Sequence, residues 1–357
     1  MHVPDGFIDA PTSAVTGVVA AGALAVSLRG ARRELDERTA PLAGLVAAFI
    51  FAVQMLNFPV AAGTSGHLLG GALAAILVGP FTGVLCVSVV LLMQGVLFAD
   101  GGLTALGVNI TDMALVTTVV AYAVFRGLVK VLPRSRRSVT AASFAAALVS
   151  VPAAALAFTL LYWIGGTTDV AIGKVATAMI GVHVLIGVGE AAITALTVGA
   201  VIAVRPDLVY GARGLARKLK LRVGGELVDA PAVQPVTVPA ATRSHRKLWI
   251  TGLVASLVLA GFVSFYASAS PDGLEKVAAD QGIDKKAEEH AAAGSPLADY
   301  GVKDVDDARL SGGLAGVIGV GVTVVAGSAV FWAVRRRRTH DVSPTHIGTG
   351  TDPDTSA

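Results

Sequence analysis

The sequence predicts an all-α, polytopic transmembrane helical bundle of about seven helices, followed by a C-terminal two-helix unit with an extracytoplasmic loop. Composition is the first reason. Of 357 residues, 54% are apolar and only 15% charged, and the mean hydropathy is +0.70, far from the balance of a soluble domain. The second is the kind of apolar residue. Aromatics are 6% and glycines number 41, which suits closely packed bilayer helices and disfavours the alternating strands of an outer-membrane barrel. The third is charge placement: basic residues fall in short clusters between apolar runs, so the formal net charge of +3 reflects membrane topology and disfavours nucleic-acid binding. The single cysteine, Cys86, lies inside an apolar run, which excludes an intrachain disulfide and a multi-cysteine metal site.

About 20 apolar residues cross ~30 Å of hydrocarbon. Runs of that kind cover residues 11–28, 40–58, 105–125, 139–164, 176–204, 248–267 and 312–334. A longer run, 67–99, is interrupted by Gly79-Pro80, where proline removes a backbone donor and biases its predecessor away from helix. Basic clusters at 29–38, 126–137, 205–247 and 335–338 face the cytoplasm by the positive-inside rule, and 57–70, without Lys or Arg, faces out. Returning inside at Arg126 requires an odd number of crossings after residue 67. The Gly79-Pro80 break therefore turns the chain, giving nine helices with the N-terminus outside and the C-terminus inside the cell membrane. Short helices at 67–79 and 81–98 are tolerable only if neighbours bury them.

Four segments follow: a transmembrane domain over 1–210, a cytoplasmic linker over 211–245, a two-helix unit over 246–338, and a disordered polar tail over 339–357. The outer loop of the second unit, 271–309, holds ten acidic against five basic residues. It reads either as a cation-attracting or gating element or as a solvated spacer. Pro4-Asp5-Gly6 and Pro271-Asp272-Gly273 recur, as common turn chemistry.

The first residues, Met1-His2-Val3-Pro4-Asp5-Gly6-Phe7, lack the positive region of a secretory signal. A free amine on Met1, placed outside, is the expectation. The terminal nitrogen and the deprotonated His2 amide close a five-membered chelate, and the same amide with the imidazole Nδ1 closes a six-membered one. Three nitrogens in one plane select Cu(II) or Ni(II) over Zn(II), Mg(II) or Ca(II). His67, in the outer segment Gly63-Thr64-Ser65-Gly66-His67, is the natural fourth donor. Among other polar groups at membrane depth, Asn109, Asp112, His183 and Glu190 are functional candidates by default, though each reads more readily as a packing contact than as a metal ligand. His183 and Glu190, seven apart, share one helix face.

No G-x-x-x-x-G-K-[ST] loop, H-E-x-x-H, G-x-S-x-G or dinucleotide fingerprint occurs. An enzyme is not supported, and ATP hydrolysis would belong to other subunits. A membrane metal sensor or assembly protein is the rival of another class.

On these residues the chain resembles the CbiM/NikM family, the substrate-capture components of energy-coupling-factor transporters for cobalt or nickel. The likeness lies in Met1 to Phe7, in Gly63-Thr64-Ser65-Gly66-His67-Leu68-Leu69-Gly70-Gly71, in Phe98 to Gly107 and in the His183 to Glu190 stretch. Pro271-Asp272-Gly273-Leu274-Glu275 resembles the loop of the small CbiN/NikN partner, here fused to the capture component. The resemblance implies a square-planar site on Met1, His2 and His67 for Ni2+ or Co2+ as transported ligand, with no cofactor. It also implies separate partners, a transmembrane coupling protein and cytoplasmic ATPase subunits, in a membrane lipid setting.

Overall fold

The computed structural model describes residues 1–35, 39–61, 63–215, 220–223, 226–229 and 246–340. Most of the 211–245 linker, and the 339–357 tail beyond residue 340, lie outside the described residues. The elements run α1 (Ala10–Glu34), α2 (Ala40–Gln54), β1 (Phe58–Ala61), β2 (Thr64–Gly66), α3 (Gly71–Val78), α4 (Pro80–Leu97), α5 (Leu106–Asn109) and, after a π-helical stretch Ile110–Val116, α6 (Thr117–Val131). Then come α7 (Arg136–Gly165), α8 (Ile172–Val204), the hairpin β3 (Lys220–Val223) and β4 (Glu226–Asp229), α9 (Arg246–Gly261), α10 (Gly273–Gln281) and α11 (Ala308–His340). Among the described residues, seven helices are long and apolar enough to cross a membrane. The fold class is the one the composition predicts, a helical membrane bundle with a helical C-terminal unit.

The break in the long apolar run forms as expected. Gly79 has φ +105, a conformation open to glycine and strained for other residues, and Pro80 then begins α4, where its missing N–H costs nothing. Gly83 of α4 packs on the backbone of Ala74 and Ala75 in α3. Residues four steps either side of Gly79 touch, so the chain folds back there instead of continuing as one kinked helix. At 8 residues α3 is far too short to cross alone, and every one of its residues is buried, which satisfies the condition set by its length.

The turn is held by the end of α1. The Glu34 carboxylate accepts from the Phe81 amide (3.2 Å), the Thr82 amide (2.7 Å) and the Thr82 hydroxyl (2.8 Å). A carboxylate thus satisfies the open donors at the N-terminus of α4 and meets its positive dipole end. The second unit lies along the first: α9 and α11 both pack on α2, with Gly44 and Gly327 meeting where α2 and α11 cross. β1 and β2 pair as a small antiparallel hairpin, with Phe58 opposite Gly66 and Pro59 opposite Ser65. It delivers His67 to the start of α3.

Replacing Glu34 with Ala leaves three donors unmatched, the two on Thr82 buried, and is expected to cost about 1–3 kcal/mol. In detergent the thermal unfolding midpoint should fall, and Glu34→Gln, which keeps an acceptor, should lose less.

Candidate metal centre

The first nine residues form a strap whose backbone is pinned at each step. Val3 donates its N–H to Asn109 Oδ1 (2.7 Å), and Asn109 Nδ2 returns a bond to the Val3 carbonyl (3.1 Å), which also accepts from Gly102 N (2.9 Å). Asp5 Oδ1 accepts from the Thr104 amide (2.8 Å) and hydroxyl (2.5 Å), and its Oδ2 from the Leu103 amide (3.3 Å). The Asp100-Gly101-Gly102 loop must pass close under the strap: a Cβ on Gly102 would fall 2.3 Å from the Asp5 nitrogen. Asp9 then caps α1 by accepting from Thr12 N at 2.9 Å. The strap ends with Met1 only 2% exposed.

There the terminal ammonium has two partners. It lies 2.7 Å from Nε2 of His67 and donates to Asp272 Oδ2 at 2.5 Å. His67 Nε2 and Asp272 Oδ2 are 3.4 Å apart. His67 donates Nδ1–H to the Leu68 carbonyl (3.0 Å), which leaves the Nε2 lone pair facing Met1. His2 stacks on His67 with ring centroids 5.2 Å apart and planes 18° from parallel. One ligand atom each from His2, His67 and Asp272 falls within a 4.8 Å cluster. The sequence-named residues Met1, His2 and His67 therefore meet at one point.

A polar ring surrounds His2. Its Nδ1 lies 3.2 Å from Asp100 Oδ1 and its Nε2 lies 3.2 Å from Gln94 Oε1. Gln94 Nε2 donates to the Tyr300 hydroxyl (2.9 Å), which donates to Asp100 Oδ2 (2.5 Å). Burial pushes the His2 imidazole down to about 4, against the pull of Asp100, so at neutral pH the ring is uncharged and its single proton serves one of the two contacts. Burial acts to raise the Asp272 carboxyl, but the adjacent ammonium and His67 outweigh it and hold it well below the usual range. Burial and then the neighbouring Asp100 push the Tyr300 phenol well above its ordinary value, keeping it a donor. A cavity of about 570 Å³ opens beside these groups, lined among others by His2, His67, Asp100, Asp272 and Tyr300.

The 271–309 loop of the second unit is thus part of the candidate site. Besides Asp272 and Tyr300, the Ser65 amide donates to the Pro271 carbonyl (2.8 Å), Glu288 N to the Asp5 carbonyl (3.0 Å) and Asp299 N to the Phe98 carbonyl (2.9 Å). A solvated spacer is ruled out by these contacts. His290 spends both ring nitrogens on backbone, donating Nε2–H to Gly101 O (3.1 Å) and accepting from Ala292 N (2.9 Å). Glu190 accepts from the Leu69 and Gly70 amides at 2.6 and 3.1 Å, a packing role as expected. His183 donates Nδ1–H to Met179 O (2.7 Å), and its buried Nε2 has no partner among the described residues. It lies under the turn that carries Asp272, since a Cβ on Gly273 would fall 3.1 Å from its ring. Asp112 is buried in the π-helical stretch, both oxygens unpartnered among the described residues.

Sequence reasoning did not assign Asp272, Asp100, Gln94 or Tyr300 to the site. The one available signal was the repeated Pro-Asp-Gly. Asp5 spends its carboxylate on residues 103 and 104, while Asp272 caps its own helix with one oxygen only: Oδ1 accepts from Glu275 N (2.9 Å) while Glu275 Oε2 accepts from Asp272 N (2.8 Å).

Residues 2–208 match the family model described as the cobalt uptake substrate-specific transmembrane region, CbiM, and residues 246–336 match the PDGLE domain. A provisionally named fused nickel transport protein NikMN of Archaeoglobus fulgidus is 39% identical over 243 residues, 68% of this chain and 77% of that one. The fused nickel transport protein NikMN of Rhodobacter capsulatus is 44% identical over 125 residues, 35% of this chain and 36% of that one. The cobalt transport protein CbiM of Sorangium cellulosum is 33% identical over 217 residues, 58% of this chain and 94% of that one. Among solved structures, a truncated transition metal transporter superposes with a TM-score of 0.51 at 27% identity, over 57% of this chain and 99% of that one.

The depressed His2 value sets a pH dependence in the ion-free protein. Unfolded His2 takes up a proton below about 6.5 and the docked ring only below about 4. Between those values the undocked strap binds more protons, so docking weakens as pH falls, by up to about 3 kcal/mol for a shift of this size. Hydrogen exchange of residues 1–5 should accelerate across that window, and Asn109→Ala, which removes both bonds to Val3, should accelerate it at neutral pH.

Proposed function

The chain belongs to the CbiM family, fused to a PDGLE domain, and from that premise we propose that it captures Ni(II) or Co(II) at its extracytoplasmic face for import. It is a multi-pass membrane protein of a cobalt and nickel transport family, not an enzyme family. The ion is held by the Met1 amine, the His2 amide and Nδ1, and His67 Nε2, in a square plane. The family domain occupies 1–210 and the fused unit 246–338, with the N-terminus outside and the C-terminus in the cytoplasm. A transmembrane coupling protein and ATPase subunits drive release inward.

The observation that carries this reading is the spacing of two donors. In the chelate the His2 amide sits between amine and imidazole, so the fourth ligand stands opposite the amide and beside the amine. Neighbouring donors around an ion with bonds of about 2.0 Å are roughly 2.8 Å apart. Met1 N and His67 Nε2 are 2.7 Å apart. The tautomers support it too: His67 presents a lone pair, and a His2 bound through Nδ1 has Gln94 Oε1 to receive its Nε2–H. Both amine and amide lose a proton on binding, so affinity falls in acid.

One residue added before Met1 moves the amine and converts the first nitrogen to an amide. That extension, and His67→Ala, should each reduce Ni(II) and Co(II) binding by the purified chain at least a hundredfold in competition titrations, with folding unchanged. Uptake into cells should require co-expression of the coupling protein and ATPases; metal-dependent partner binding without any uptake would favour the sensor reading instead.

A further inference from the structure

We propose that Asp272 is an oxygen ligand to the transported ion, contributed by the second unit to a nitrogen set carried by the first. The inference rests on the site reading above, that Met1, His2 and His67 hold the ion. Its own support is the geometry of Asp272 Oδ2, 2.5 Å from Met1 N and 3.4 Å from His67 Nε2, with those two atoms 2.7 Å apart. The circle through the three atoms has a radius of about 1.7 Å, shorter than a metal–ligand bond of about 2.0 Å. A point therefore exists at bonding distance from all three without moving any of them.

The direction of Asp272 from that point decides its role. The ion sees Met1 and His67 about 85° apart, as neighbours in a plane, and sees Asp272 roughly 80° from Met1 and roughly 115° from His67. An oxygen in the plane of the four nitrogens and at that angle from Met1 would stand nearly opposite His67. Asp272 lies out of the plane, about 30° from its normal and leaning toward the amide side, so a small shift toward the normal makes it an apical fifth ligand. A carboxylate oxygen suits Ni(II) and Co(II), which accept mixed nitrogen and oxygen donors. The second oxygen explains how the residue is held: Oδ1 caps α10 and leaves Oδ2 unused by the helix. Asp272 is buried with its side chain 11% exposed, so no bulk water competes freely for that position.

Asp272→Asn separates the two oxygens, because asparagine is as good a helix N-cap as aspartate while its amide nitrogen is no ligand. The full chain is purified, loaded with nickel chloride and read by Ni K-edge X-ray absorption. A planar four-coordinate Ni(II) shows a sharp pre-edge shoulder that an apical ligand removes. The expected result is no shoulder in the parent protein, a shoulder in Asp272→Asn, and about tenfold weaker Ni(II) binding. Asp272→Glu, which keeps a carboxylate, should restore the shoulderless spectrum. A shoulder in both parent and Asp272→Asn, or in neither, overturns the proposal. His67→Ala serves as the separate control: nickel lost there but unaltered in Asp272→Asn sinks the fifth ligand and spares the nitrogen set. Tight nickel binding retained by His67→Ala sinks the site reading beneath it.

Discussion

A buried ammonium is the constraint on which the site depends. Taking a primary amine out of water costs several kcal/mol unless charge and hydrogen bonds compensate, and Met1 is 2% exposed. His67 supplies a lone pair, and Asp272 supplies the negative charge. Without Asp272 the amine would face a neutral imidazole alone. The strap bonds from Val3 and Asp5 to Asn109 and residues 102–104 fix where the amine goes; they do not compensate its charge. The first unit builds the socket, and the second makes it electrostatically tolerable to fill.

This division explains why the 271–309 loop of the second unit is folded onto the first. The PDGLE turn lies over His67 and His183, and Tyr300 reaches the opposite side to bond Asp100 and Gln94 around His2. Asp299 and Tyr300 both have positive φ, at +53 and +56, a conformation costly for residues with a Cβ and found where surroundings impose it. Here the Asp299 amide bonds to the Phe98 carbonyl and the Tyr300 ring stacks on Phe98. The contact is therefore specific enough to hold strained backbone.

The fold class was legible because the bilayer imposes length and charge rules that a single sequence displays. The turn at Gly79 followed from counting basic clusters, and the all-buried α3 followed from its length. That Met1, His2 and His67 would come together was legible because chelate rings are local chemistry and a histidine in a loop without Lys or Arg is scarce. The contribution of Asp272 was not. It lies 271 positions from its partner, and its sequence context announces a helix cap, which it also is. Gln94 and Tyr300 were invisible for the same reason, since a ring of hydrogen bonds closed across two units leaves no periodicity. The π-helical stretch before Thr117, which places Asp112, has no signature in composition either.

Charge balance ties the two states together. In the empty site the ammonium carries +1 and the Asp272 carboxylate −1, with His2 uncharged. In the proposed site a divalent ion would release one proton from the amine and one from the His2 amide. Its two charges would replace the two protons lost, so capture would leave the charge of the pocket unchanged. Asp272 lowers the total by one unit in both states, and Asp100, 3.2 Å from His2 Nδ1, places a second carboxylate beside the nitrogens. Asp272 held against the ion as it is held against the ammonium would keep that compensation in place through capture. The same accounting works against withdrawal of the PDGLE turn while the ion is bound, so release requires the two units to part or the nitrogens to regain their protons.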